Sequence, residues 1–317
     1  MLKRIRYEVG LEAKKEYHSQ NGMFHYYNNT ISNEANAMNN WLTRFILKNF
    51  PSISKEINIY GEIGNNRFIK RNTSGIKIFH SGENLDKKGS STHYKYGDYC
   101  LKHVDLALGF NNDIEDSKYL RFPLWIMYLF APEDDKDKID EKVKVINAFH
   151  LNRSKACALI ARHDKDGTRS MIYNKLKNLI DIECAGKWNN NTHDMWDLYN
   201  NNKIEYLKQF KFNICPENAN TKCYVTEKLF EAFVAGCIPI YYGSDNDPEP
   251  GIVNKNAVIF WNKDDDNSQQ IFLIQQLLSD EKSYNVFINQ PKLLPYTTEY
   301  VFDRYVKLSE KLKWLLE

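Results

Sequence analysis

Short apolar runs alternate with amphipathic segments along most of the chain, and this alternation constrains the fold more than any other feature of the sequence. In the second half KACALIAR, DIECAG, KFNICPEN, CIPIYYG and NAVIFW read as strands. Near-continuous apolar runs of this kind mark strands covered on both faces. Between them TRSMIYNKLKNLI places Met171, Ile172, Leu176, Leu179 and Ile180 on one side of a helix, and NKIEYLKQF is a second helix. VTEKLFEAFVAG is a third, with Thr226 at the N-cap and Gly236 at its end. A helix from about Ser268 to Leu278 follows, and TEYVFDRYVKLSEKLKWLLE is a long amphipathic helix. Strands alternating with helices through short loops imply parallel sheets covered by helices.

The first half is less regular. Trp41, Leu42, Phe45, Ile46 and Phe50 share one helical face. EINIYGEIG and GIKIFHSGEN read as strands ending in Gly turns, and HVDLALGF as a short buried strand. YLRFPLWIMYLF fits either type, with Pro123 suited to a helix start. The first 35 residues are polar and Asn-rich without a period, and read as an irregular extension or a weak first element. The charged run PEDDKDKIDEKVK, residues 132 to 144, is a solvated loop or helix where a linker would fall. The expected fold is α/β, with two doubly wound, Rossmann-like domains and a ligand cleft between them. Residues 1–150 form the first domain, its first 40 or so irregular, and residues 151–298 the second. Residues 299–317 form a helix that packs back on the first domain or, failing that, oligomerises.

Several classes of function are disfavoured. Lys+Arg number 43 against 41 Asp+Glu, a net charge of +2, whereas a duplex nucleic-acid binder needs a basic excess to displace counterions. Mean hydropathy is −0.60, and no apolar run approaches the roughly 18 to 20 residues of a membrane span. The opening MLKRIRYEVGLEAKKEY lacks the apolar stretch of a signal peptide or anchor. Cys100, Cys157, Cys184, Cys215, Cys223 and Cys237 form no CxxC pair and no zinc-finger spacing, so buried reduced thiols in a cytoplasmic protein are expected. The sequons at Asn28, Asn72, Asn152 and Asn190 read as chance in so Asn-rich a chain. No Walker A motif is present and no G-x-G-x-x-G opens a helix, which disfavours P-loop and dehydrogenase chemistry. The clusters Glu133-Asp134-Asp135 and Asp264-Asp265-Asp266 would suit a metal–diphosphate, but lie in charged stretches that read as solvated surface. No metal site is expected.

The most informative stretch is Phe212 to Gly243, FNICPENANTKCYVTEKLFEAFVAGCIPIYYG. A strand leads through a polar loop to a helix whose first turn holds Glu227 and Lys228. Backbone N–H groups at a helix N-terminus attract anions. A lysine there opposes the helix dipole unless a phosphate faces it, and Glu227 is placed to accept from ribose hydroxyls. A capped surface helix with exposed charges explains the same pattern. Glu217-Asn218, then YVTEKL from Tyr224, then IPIYYG from Ile238, resemble the donor-binding motif of the α-1,3/4-fucosyltransferases, glycosyltransferase family 10. INIYGEIG (57 to 64), IFHSGEN (78 to 84) and NRSKACALIARHDKDGTRSMIYNKL (152 to 176) resemble further segments of that family in the same order, as do YLRFPLW and the C-terminal helix. The resemblance covers roughly residues 40 to 317.

That resemblance implies a GT-B fold with the acceptor side first and the GDP-fucose side second. It implies inverting, metal-independent transfer of L-fucose to a hydroxyl, O3 by expectation, of an acceptor containing N-acetylglucosamine or glucose. By motif position Glu83 corresponds to the general base, Arg169 and Lys228 to residues gripping the diphosphate, and Asn218, Tyr224 and Glu227 to nucleotide contacts. Gly61, His80 and Asn84 fall on the acceptor side. The alternatives are a GT-B transferase using another nucleotide sugar and a catalytically silent nucleotide-sugar or glycan binder. Pro216 replaces an aromatic that commonly precedes the Glu-Asn pair, and Ala161-Arg162 replaces a usual Ser-Asn. His93 and His163, and the rings of Trp125, Trp188 and Trp196, are secondary candidates for ligand contact.

Overall fold

The computed structural model describes residues 16–19, 22–72, 74–86, 93–148 and 153–317. The start of the expected irregular extension and the sequon at Asn152 lie outside the described residues. The chain divides into two compact units, Met1–Lys136 with Glu299–Glu317, and Asp137–Thr298. The division falls after Lys136 rather than at 150, because the charged run folds into the helix Lys136–Ala148. Its Ile139, Val143 and Ile146 recur at helical spacing and are buried. Asn147 Oδ1 near its end accepts from the backbone N–H groups of Lys292 and Leu293, both at 2.9 Å.

The first unit holds a six-stranded sheet: β1 (Glu16–His18), β2 (Phe24–Tyr27), β3 (Ile57–Tyr60), β4 (Ile76–His80), β5 (Leu106–Gly109) and β6 (Tyr119–Arg121). The strands lie side by side in chain order, with β1 antiparallel to β2 and all later pairs parallel. The order never reverses, so this sheet is not doubly wound as expected. In its described part, from Glu16 on, the Asn-rich opening follows the second of its two readings and forms first elements. It supplies β1, β2 and the helix Glu34–Asn39, and Phe24 and Tyr26 of β2 are buried. The helix Trp41–Asn49 starts where Asn40 Oδ1 accepts from Leu42 N at 3.0 Å and buries Leu42, Phe45 and Ile46. The ambiguous 119–130 stretch is both types, β6 and then the helix Leu124–Leu129 begun at Pro123. From Glu299 on, the helix Thr297–Leu316 belongs to this unit. Its Tyr305 hydroxyl donates to Ala131 O at 2.8 Å, and its Tyr300 ring stacks on buried Trp125 with centroids 6.2 Å apart.

The second unit holds five parallel strands, β7 (Lys155–Leu159), β8 (Ile182–Cys184), β9 (Phe210–Ile214), β10 (Ile238–Tyr241) and β11 (Ile259–Phe260), in the order β11-β10-β9-β7-β8. Leu159, Ile172, Phe212, Ile240 and Trp261 are among its buried core. The chain steps from β7 to β8, then returns to the other side of β7 to lay down β9. The strand order therefore reverses between β7 and β9, and a doubly wound sheet binds ligands outside the carboxyl ends of the strands at such a reversal. The six cysteines are unpaired, and all but Cys223 are buried.

Candidate functional site

The loops leaving β7 and β9 meet at the reversal. Asp164, after β7, accepts from the backbone N–H groups of Arg169 (3.0 Å) and Ser170 (2.7 Å), so its carboxylate satisfies the first turn of the helix Thr168–Leu176. This fixes the backbone that carries Arg169, whose side chain is buried. Arg169 Nη1 donates to His163 O at 3.0 Å, and Nη2 donates to Asn218 Oδ1 at 2.9 Å and Pro216 O at 3.3 Å. A guanidinium from the β7 side is thus latched to the loop that follows β9.

Lys228 reaches the same loop from the helix Glu227–Val234. Its Nζ donates to Thr226 Oγ1 at 2.8 Å and pairs with Glu217 Oε2 at 3.2 Å and Glu227 Oε1 at 3.6 Å. Burial works against its charge, but the carboxylates of Glu217 and Glu227 outweigh burial and push its pKa up, while the nearby Arg169 pulls it down. Burial likewise opposes ionisation of Glu227, yet Lys228 and Lys203 hold its carboxyl below the ordinary range. Both groups therefore stay charged around neutrality. Arg169 and Lys228, Asn218 and Glu227 converge here. Tyr224 is buried in the stretch leading to the same helix.

Glu217 organises this end of the unit, and the sequence reading assigned it no separate role. It is buried; its Oε1 accepts from Thr226 N at 2.8 Å and its Oε2 from Thr226 Oγ1 at 2.7 Å. Thr226 occupies the N-cap position as expected but makes no side-chain cap bond, because its hydroxyl is turned to Glu217. The loop after β10 closes over the same carboxylate. Tyr241 OH donates to Glu217 Oε1 at 3.4 Å, and a Cβ on Gly243 would come within 2.7 Å of Glu217 Cγ. Asn220 and Asp245 then tie the two loops through Asp245 N to Asn220 Oδ1 at 2.7 Å and Asn220 Nδ2 to Asp245 Oδ1 at 3.0 Å.

A second cluster lies in the first unit. A cavity of about 300 Å³ opens at the carboxyl ends of β3 and β4 and is lined by Gly61, Glu62, His80 and Glu83, with Trp41 and Tyr128 among its rings. Ser81 Oγ accepts from Glu83 N at 3.2 Å and holds the Glu83 loop. Burial pulls His80 down to about 4, so its ring is neutral. Glu62, which sequence reasoning passed over, is pushed up to about 7, first by burial and also by the charge of Glu83. Asn84 is not among the lining residues. It is buried, and its Oδ1 accepts from Asp86 N at 2.8 Å, which closes a local turn.

Several of the remaining candidates have partners within the fold. Glu133 pairs with Arg44, Asp134 Oδ2 accepts from Ala131 N at 2.7 Å, and Asp266 Oδ1 accepts from Ser268 N at 2.8 Å to start the helix Ser268–Ser279. Among the described residues no group of three His, Cys, Asp or Glu is arranged to hold a metal ion. His93 Nδ1 lies 3.2 Å from Glu62 O. Trp125 is core, Trp188 packs edge-on against Tyr173, and Trp196 is exposed. No helix among the described residues is long and apolar enough to cross a membrane.

Two parallel α/β units, one with its cations gathered at a strand-order reversal, define a protein of the GT-B type. Residues 23–128 match the model of the α-(1,3)-fucosyltransferase FucT N-terminal domain, and residues 150–304 that of the glycosyltransferase family 10 (fucosyltransferase) C-terminal domain. The chain belongs to glycosyltransferase family 10. It is 28% identical over 209 residues to the α-(1,3)-fucosyltransferase FucT of Helicobacter pylori, a stretch that is 57% of this chain and 40% of that protein. The chain thus spans well under two thirds of that relative's length. A crystal structure of an α1,3-fucosyltransferase with GDP-fucose shares the fold at TM-score 0.59 and 22% identity, over 90% of this chain and 87% of that one. A second α1,3-fucosyltransferase crystal structure gives TM-score 0.61 at 17% identity, over 94% and 93%.

Proposed function

We propose that the chain transfers L-fucose from GDP-fucose to a hydroxyl, O3 by preference, of a glycan containing N-acetylglucosamine or glucose, with inversion and without a metal. The observation that carries this reading is the convergence of Arg169 and Lys228 on the 216–218 loop at the strand-order reversal of the second unit. Direct displacement forms a bond from the acceptor oxygen to the anomeric carbon and breaks the bond to the phosphate oxygen. GDP leaves with the bonding pair. Charge grows on the departing diphosphate, and fixed cations that need no rearrangement stabilise it, each such group contributing about 3 to 4 kcal/mol. Arg169 offers a planar fork to phosphate and Lys228 a point charge. Asn218, Tyr224 and Glu227 recognise the nucleotide. Glu83 takes the proton of the attacking hydroxyl, assistance typically worth about 10²–10⁴-fold. One base suffices for inversion, whereas a glycoside hydrolase uses two opposed carboxyl groups.

The test is a melting-temperature panel with GDP, UDP, CDP and their sugars, since a ligand that binds only the folded state stabilises it. GDP and GDP-fucose should raise the midpoint and the others should not; a shift with UDP alone would replace the donor. Glu83→Gln should abolish transfer to N-acetyllactosamine and leave the GDP-fucose shift intact. Loss of both together would remove Glu83 from its role. Transfer should persist in EDTA, and its disappearance there would return the acidic clusters as metal ligands.

A further inference from the structure

The cavity of the first unit holds one more carboxyl than this reading uses. Glu62 follows β3 and Glu83 follows β4, and both side chains line the same space. Buried Ser81 lies beside both: its Oγ accepts from Glu83 N at 3.2 Å, and its hydroxyl favours the ionised form of Glu62, an effect that burial outweighs. Among the described lining residues, the titratable groups other than Glu62 and Glu83 are His80 and three tyrosines. His80 is neutral, and burial raises the phenols of Tyr26 and Tyr60 far above neutrality. Tyr128 lines the cavity, His93 meets the Glu62 carbonyl, and no Lys or Arg is among the described lining residues. Glu62 is desolvated while Glu83 is exposed to solvent, so burial first, and the nearby charge of Glu83 after it, favour the protonated form of Glu62. The cavity also holds a polar atom without a partner among the described residues, His80 Nε2, which is buried.

We propose that Glu62 is an acceptor-binding residue that works in its protonated form, donating a hydrogen bond to a hydroxyl or acyl oxygen of the sugar while Glu83 accepts from the hydroxyl that attacks. The proposal rests on the reading of this cavity as the acceptor site. A carboxylate only accepts hydrogen bonds, whereas a carboxylic acid also donates one. A sugar presents neighbouring oxygens that both donate and accept. An acid beside a carboxylate therefore matches a pair of vicinal sugar oxygens, and His80 Nε2 offers a third contact. Glu62 is pushed up to about 7, so this donor is present in mildly acid solution and lost above neutrality.

Binding of N-acetyllactosamine to the GDP-saturated protein tests this, measured by calorimetry at about pH 6 and about pH 8 for the wild type and Glu62→Gln. If only the protonated form binds, the apparent dissociation constant scales inversely with its population, so wild-type affinity should fall about tenfold between the two conditions. Glu62→Gln keeps a neutral donor and should change less than about twofold. Equal pH dependence in both proteins overturns the proposal. So does a Glu62→Gln protein of unchanged melting temperature that fails to bind near pH 6. Absence of wild-type binding at both values overturns the acceptor-site reading itself, a separable outcome. Should the variant not fold, ¹³C titration of the wild-type carboxyls decides. One carboxyl still protonated near pH 6 and shifted by N-acetyllactosamine supports the role, and none titrating there overturns it.

Discussion

At the scale of single residues, the buried carboxylate of Glu217 shapes the proposed donor end of the second unit more than any of its cations. It binds Thr226 twice and pairs with Lys228, so the lysine is held in place by the protein itself. Lys228→Ala should weaken GDP binding and slow transfer together, each by about 10²-fold, because a preorganised charge is removed. Titration with GDP beside turnover checks it, and a change in turnover alone would place Lys228 away from the phosphates. Glu62 adds a stability effect of defined sign. Its folded-state pKa, about 7, lies above its ordinary 4.5, so the folded state binds the proton more tightly. The favourable contribution is complete below about pH 4.5 and lost as pH rises through about 7. Glu62→Gln should therefore gain stability over wild type near pH 8 relative to about pH 5, on the order of 2 kcal/mol by urea denaturation. A constant difference across that range would show that Glu62 is not buried as an acid.

At the scale of elements, the cluster proposed as the donor side was legible because its residues are local in sequence. The helix Glu227–Val234 follows a Thr and opens with Glu and Lys, and the strand before its loop, FKFNI, is mostly buried. Glu217 and Glu62 were not legible as functional groups, since a glutamate next to Asn or Gly in a turn reads as solvated until burial is known. The strand β2 escaped for a related reason. FHYY is four residues in an Asn-rich setting, and with three of the four buried it shows no alternation to detect. The order of strands in the first sheet is likewise set by long-range pairing that no local pattern states. Gly243, by contrast, has a role that only packing reveals, because its missing side chain leaves the space that Glu217 fills. Gly243→Ala should push that carboxylate off Thr226 and lower GDP affinity about tenfold, with a loss of about 2 kcal/mol of stability from overpacking. Unchanged GDP affinity in that variant would mean the loop yields freely.

At the scale of the whole molecule, the first unit is built from two separated pieces of chain, Met1–Lys136 and Glu299–Glu317. The later piece contributes Tyr300 against Trp125 and Tyr305 against Trp41 and Phe45, large aromatic surfaces in the interior of that unit. Removal of residues 299–317 should expose these rings and make the first unit protease-sensitive, while residues 137–298 remain resistant. Mass mapping of a limited digest reads this directly, and equal resistance of both units would show the terminal helix to be dispensable. The second unit, in contrast, is one unbroken stretch. During translation it can reach its native contacts as soon as it clears the ribosome. The earlier-made half of its neighbour must wait, uncompleted and with apolar rings bare, until the segment past residue 298 emerges. Synthesis and maturation should thus run in opposite orders, the unit begun first being the one completed last.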